Sequence, residues 1–128
     1  FRNKAKSIQK CCQALAEKFG GKVPKDPEDL VKLPGIGRKT ANMILANAYG
    51  TPGIIVDTHV LRLSKRLGLS KKDKADAVAE DLAALIPKKK WALVSYQLVD
   101  HGRAVCKARK PACDTCNLES FCPKIGVS

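Results

Sequence analysis

The stretch that most restricts the fold is "CKARKPACDTCNLESFC", residues 106–122. Cys106, Cys113, Cys116 and Cys122 follow one another as C-x6-C-x2-C-x5-C. Four thiolates held so close would repel one another and oxidise unless a metal bound them. The segment is therefore expected to fold as a loop around a metal, in a reducing compartment. Zinc suits a four-cysteine site, but paired zinc ribbons usually carry two C-x2-C knuckles and here there is one. The spacing also departs from the common ferredoxin patterns. On spacing alone, zinc and iron–sulfur stand level. The other two cysteines, Cys11 and Cys12, lie in a helical pattern with Cys12 on its apolar stripe. Both read as structural thiols.

Upstream of this loop almost everything is helical. Ala5, Ile8, Cys12, Leu15 and Phe19 recur at helical spacing, and Gly20-Gly21 stop the pattern. Asp26-Pro27 gives an N-cap with proline at the first helical position, opening a short helix through Leu33. Ala41, Ile44, Leu45 and Ala48 mark the buried side of a further helix ending near Gly50. Ile54-Ile55-Val56 reads as an extended buried connector, and Asp57 caps a helix that ends at Gly68. Ser70 with Asp73 resembles a capping box for a helix through Ile86, stopped by Pro87. A last helix spans about Trp91 to Arg103. With no hairpin chemistry and no repeat, the expected class is all-α. The expected division is a helical region, 1–103, followed by a metal loop and tail, 104–128.

Charge narrows the partners. The 128 residues hold 24 Lys and Arg against 12 Asp and Glu, a formal net charge of +12. A two-to-one basic excess in so short a chain favours a polyanion, with nucleic acid first. No apolar run approaches the roughly 20 residues of a membrane helix, and no secretory signal follows the N-terminus.

The second informative stretch is "LPGIGRKTAN", residues 33–42. A short helix, the turn Pro34-Gly35-Ile36-Gly37 and a second helix make a helix-hairpin-helix. Its glycines permit positive φ and leave no Cβ between backbone and ligand. The second helix then presents free N–H groups and its positive dipole end to an anion, suiting one DNA phosphate. A P-loop is excluded, because Arg38 separates Gly37 from Lys39 and a helix precedes the turn. Lys39 sits near a helix N-terminus, where the dipole repels a cation. That field, Arg38 and partial burial would favour the neutral amine a nucleophile needs; a phosphate-binding lysine is the plainer role. Asp57, after the buried connector, is an N-cap whose carboxylate is free to assist chemistry if it faces Lys39. His59 is expected to pack or to touch phosphate.

"LPGIGRKTAN" followed by "VDTHVLR" resembles the paired signature of the helix-hairpin-helix DNA glycosylase superfamily, in particular its endonuclease III branch. The cysteine spacing after "HGRAVC" is similar to that family's [4Fe-4S] loop, and this resemblance separates iron–sulfur from zinc. It implies the C-terminal portion of the helix-hairpin-helix glycosylase fold. It further implies base-excision repair by a bifunctional glycosylase/AP lyase acting on oxidised pyrimidines in double-stranded DNA. Lys39 would attack the sugar C1′, expel the base and form a Schiff base, with β-elimination following; Asp57 would assist. Gly35, Ile36, Gly37, Arg38 and Thr40 would contact DNA at the hairpin, and Arg109 and Lys110 at the cluster loop. The cluster ligands would be Cys106, Cys113, Cys116 and Cys122.

Two other functions compete with this one. A non-catalytic DNA-binding module with a structural metal needs neither Lys39 nor Asp57, and a monofunctional glycosylase carries a non-lysine residue at the position of Lys39. The expected protein is a monomer of the bacterial or archaeal cytoplasm, with eukaryotic organelles left open. Because the chain opens at Phe1 and "FRNKAKSIQ" resembles a mid-protein stretch, it is expected to be a fragment lacking the family's N-terminal helices.

Overall fold

The computed structural model describes residues 1–127 and divides into two compact units, Phe1–Thr51 and the described residues from Pro52 onward. Among the described residues every regular element is helical, as the sequence led us to expect. No described helix is long and apolar enough to cross a membrane.

In the first unit, α1 (Arg2–Phe19), α2 (Pro27–Val31) and α3 (Arg38–Tyr49) surround one small core. Asp26 caps α2 as expected, its Oδ1 accepting from Glu28 N at 2.7 Å and Asp29 N at 3.4 Å. The helix ends at Val31, short of the expected Leu33. Leu30 and Leu33 point inward with Ala41 and Leu45 of α3. Each leucine so buried contributes about 1.5–3 kcal/mol. α1 offers a different face from the one its pattern implied. Cys11, Ala14, Leu15 and Phe19 pack on the core, while Ile8 and Cys12 are exposed. The two stripes overlap at Leu15 and Phe19, and the one used brings the small Ser7 against the hairpin turn.

The second unit is built on α4 (Thr58–Arg66), α5 (Ala75–Leu85) and α6 (Trp91–Ala104). Val60 and Leu63 of α4, Val78 and Leu82 of α5, and Leu98 of α6 form its core with Ile54 and Val56. The connector is extended and buried, as expected. Ile55 N donates to Ser95 Oγ, which itself donates to the Trp91 carbonyl. The expected capping box is absent. α5 begins at Ala75 with no side-chain cap, because Ser70 Oγ instead donates to Asp81 Oδ2 at 2.6 Å and accepts from Lys72 N. Asp73 pairs with Lys65. The Ser70 hydroxyl and Lys72 hold the Asp81 carboxyl below its usual range.

Gly102 is where α6 meets α4. A Cβ there would lie 3.0 Å from both Cβ and Nδ1 of His59. Gly102→Ala would gain about 1 kcal/mol of helix propensity. Overpacking against the stem of His59 costs about 1–3 kcal/mol, so the net result should be destabilising. A urea midpoint below wild type is the expected outcome; an unchanged or higher midpoint would show that the two helices have room to part.

Candidate nucleic-acid interface and metal centre

The hairpin occupies the end of α2 and the start of α3. Leu30 and Leu33 fix the α2 side, and Ile36 N donates to the Leu33 carbonyl at 3.1 Å to close the turn. Gly35 has φ +79°, and a Cβ on it would lie 2.9 Å from Ser7 Cβ, so both conformation and space require glycine. Gly37 differs from the expectation of positive φ: it is extended, and a Cβ there would meet nothing within 4 Å. Its contribution is open space over the helix end.

No side chain caps α3, and its first turn holds no acidic residue. The N–H groups of Gly37, Arg38, Lys39 and Thr40 therefore have no partner within the helix. Arg38 and Lys39 are exposed, Thr40 half-buried, and Ile36 packs on the core. Four N–H donors beside two cations form a surface suited to an anion. The partial burial expected of Lys39 does not occur, because the N-terminal turn of α3 projects beyond the packed core.

Asp57 is the N-cap of α4, in the second unit. Its Oδ1 accepts from His59 N at 2.8 Å and from Val60 N at 2.9 Å. Both cap bonds fall on one oxygen, so Oδ2 retains its acceptor capacity. The carboxylate is half-buried and fixed in direction by the helix it starts.

Cys106, Cys113, Cys116 and Cys122 line one cavity, closed by apolar side chains including Leu67, Val105 and Leu118. All four are free of disulfides. Backbone N–H groups point at two of the sulfurs: Leu118 N at Cys116 Sγ and Lys124 N at Cys122 Sγ, each at 3.4 Å. His101 Nε2 lies 3.4 Å from Cys116 Sγ. Arg109 and Lys110 are exposed on the loop, with Lys110 at φ +50°.

Two residues of this centre had not been singled out from the sequence. Arg62 donates to the carbonyls of Gly102 and Cys106, at 3.0 Å each through Nη2, and contacts His59 Nδ1. Arg66, one turn later, donates to the Lys107 carbonyl at 2.7 Å, the Ala108 carbonyl at 3.0 Å and Cys106 Sγ at 3.3 Å. The available signal is a pair of arginines at i, i+4 on an amphipathic helix whose core face carries Val60 and Leu63. His59 packs against Gly102, one of the two roles expected of it.

Residues 1–88 match the family of HhH-GPD superfamily base excision DNA repair proteins, and residues 106–122 match the iron–sulfur binding domain of endonuclease III. The chain belongs to the HhH-GPD superfamily. Within it the chain is similar to endonuclease III of Synechocystis sp. (50% identical, covering 100% of this chain and 59% of that protein). It is similar also to endonuclease III of Bacillus subtilis (49% identical, covering 95% and 56%). Among solved structures it resembles a trapped endonuclease III–DNA covalent intermediate, with TM-score 0.90 and 46% identity over 96% of this chain and 58% of that one. The chain thus spans less than three-fifths of the length of these relatives.

The cofactor of the cysteine loop is a [4Fe-4S] cluster, and the donor set fits it. The four thiols ring one cavity, with backbone N–H groups directed at two of the sulfurs. Arg66 is only 8% exposed and, among the described residues, pairs with no carboxylate, so an anionic, thiolate-bound group suits its surroundings.

Asp57 can be tested as a cap independently of any chemistry. Asp57→Ala should cost about 1 kcal/mol of stability. Asp57→Asn keeps an acceptor oxygen and should lose only a few tenths by the same principle. Urea denaturation of the two variants beside wild type checks this, and equal losses would contradict it.

Proposed function

We propose that the chain carries the catalytic and cluster-bearing part of a bifunctional DNA glycosylase/AP lyase for base-excision repair of oxidised pyrimidines. The observation that carries this proposal is an exposed lysine in the first turn of α3, immediately after a glycine turn whose N–H groups have no partner within the helix. Double-stranded DNA with a damaged or abasic nucleotide is the partner. Gly35, Ile36, Gly37, Arg38 and Thr40 hold a backbone phosphate there, which positions the enzyme without reading sequence.

The target nucleotide must leave the stack before its C1′ can be reached. Lys39 Nζ, as the free amine, then bonds to C1′ while the C1′–N bond to the base breaks, and the base departs with the bonding pair. Ring opening gives an iminium. Loss of a C2′ proton expels the 3′ phosphate by β-elimination, and water releases the lysine. Asp57 assists in this proposal. Its unshared Oδ2 takes a proton or stabilises developing positive charge on the sugar, while Oδ1 keeps the carboxylate aimed.

Cys106, Cys113, Cys116 and Cys122 hold the cluster. Bound there, it would brace the loop that these cysteines belong to, and the chain's own residues do the binding. Arg109 and Lys110 meet the DNA backbone from this support.

Borohydride reduction on a duplex with one abasic site tests the nucleophile. Wild type should form a covalent adduct and Lys39→Ala none, while abasic-site binding persists in both. An adduct from both proteins, or binding lost together with the adduct, would sink the role of Lys39. For the loop, replacing Arg109 and Lys110 should weaken binding to all sequences alike. The log–log salt dependence should flatten by about 0.9 per lost phosphate contact. An unchanged slope would return both residues to solvent.

A further inference from the structure

We propose that Arg66 is a positioning residue of the cluster, binding the Cys106 ligand sulfur and the loop behind it so as to set the cluster's reduction potential and slow its loss. This inference rests on the assignment of the four cysteines as ligands. Arg66 ends α4 and is almost wholly buried. Its guanidinium makes three bonds, all within residues 106–108: Cys106 Sγ at 3.3 Å, the Lys107 carbonyl at 2.7 Å and the Ala108 carbonyl at 3.0 Å. Its own carbonyl accepts from Ile125 N at 3.2 Å and lies 3.5 Å from Cys122 Sγ. One residue thus touches the first and the last cysteine of the quartet.

A buried guanidinium without a carboxylate is costly unless another anion answers it. Neutral carbonyls supply acceptors but no charge. The Cys106 sulfur, as a cluster thiolate, is the one anionic atom its guanidinium bonds among the described residues. The other sulfurs are served differently: Cys116 by a backbone N–H and His101, and Cys122 by a backbone N–H. Arg66 is therefore the only permanently charged donor to a ligand sulfur among the described residues. Donation from a cation draws electron density off the thiolate and favours the reduced cluster, raising its potential. The planar fork also ties the sulfur to two carbonyls simultaneously, which a lysine ammonium does not reproduce.

The test uses the full chain as wild type, Arg66→Met and Arg66→Lys, each assayed for iron and sulfide. Two quantities are then read: the cluster's reduction potential, and the rate at which its visible absorption decays under a chelator. Arg66→Met should shift the potential downward and lose its cluster about tenfold faster or more, the usual scale for outer-shell partners of a metal ligand. Arg66→Lys keeps the charge, so its potential should lie between the other two, with loss still faster than wild type. Should the methionine variant not fold, the lysine variant decides alone. Wild-type potential and decay in a cluster-loaded variant would overturn the proposal while leaving the ligand assignment intact. A wild type without iron and sulfide would overturn both.

Discussion

Two guanidinium groups on one helix hold the cysteine loop by its backbone. Arg62 takes the carbonyls of Gly102 and Cys106, and Arg66 those of Lys107 and Ala108. Carbonyl groups just past a helix C-terminus have lost their intrahelical donors. The arginines supply replacements and turn the chain after α6 sharply toward α4. Without them these carbonyls would be left without protein donors, and an unmade bond of that kind costs about 1–3 kcal/mol each. The start of the cysteine loop, with Cys106, is held by this tether.

The same helix begins at Asp57. α4 therefore has the half-buried carboxylate at one end and the loop anchors at the other, with Val60 and Leu63 locking its middle into the core. In the first unit, α3 is used in a comparable way. Its C-terminal half is secured by Leu45 in the core and by Tyr49, whose hydroxyl donates to the Val23 carbonyl. Its uncapped N-terminus is left to face a ligand. Each unit commits the body of a helix to packing and reserves one end for chemistry.

Much of this was legible in the sequence because it is local. The caps at Asp26 and Asp57, the buried connector and the all-α class follow from neighbours within a few positions. The hairpin was equally readable, although only Gly35 uses a left-handed conformation. What the sequence concealed depends on distant partners. Arg62 and Arg66 find their acceptors about 40 residues away. Ser70 forsakes its local cap for Asp81, 11 residues on. The face α1 buries is not decided locally, because two overlapping stripes share Leu15 and Phe19, and the one that packs adds Cys11 and Ala14. Lys39 was placed on the correct turn, but its exposure depends on how far that turn stands clear of the core.

The long separation between the arginines and their acceptors also orders the protein's assembly. α4 leaves the ribosome well before residues 106–122, so Arg66 begins as a hydrated surface group. It becomes buried only when the downstream loop folds over it. Closure of the arginine clamp is thus a late step of the second unit: α4 can form during synthesis, but its guanidinium contacts wait for residues 106–108.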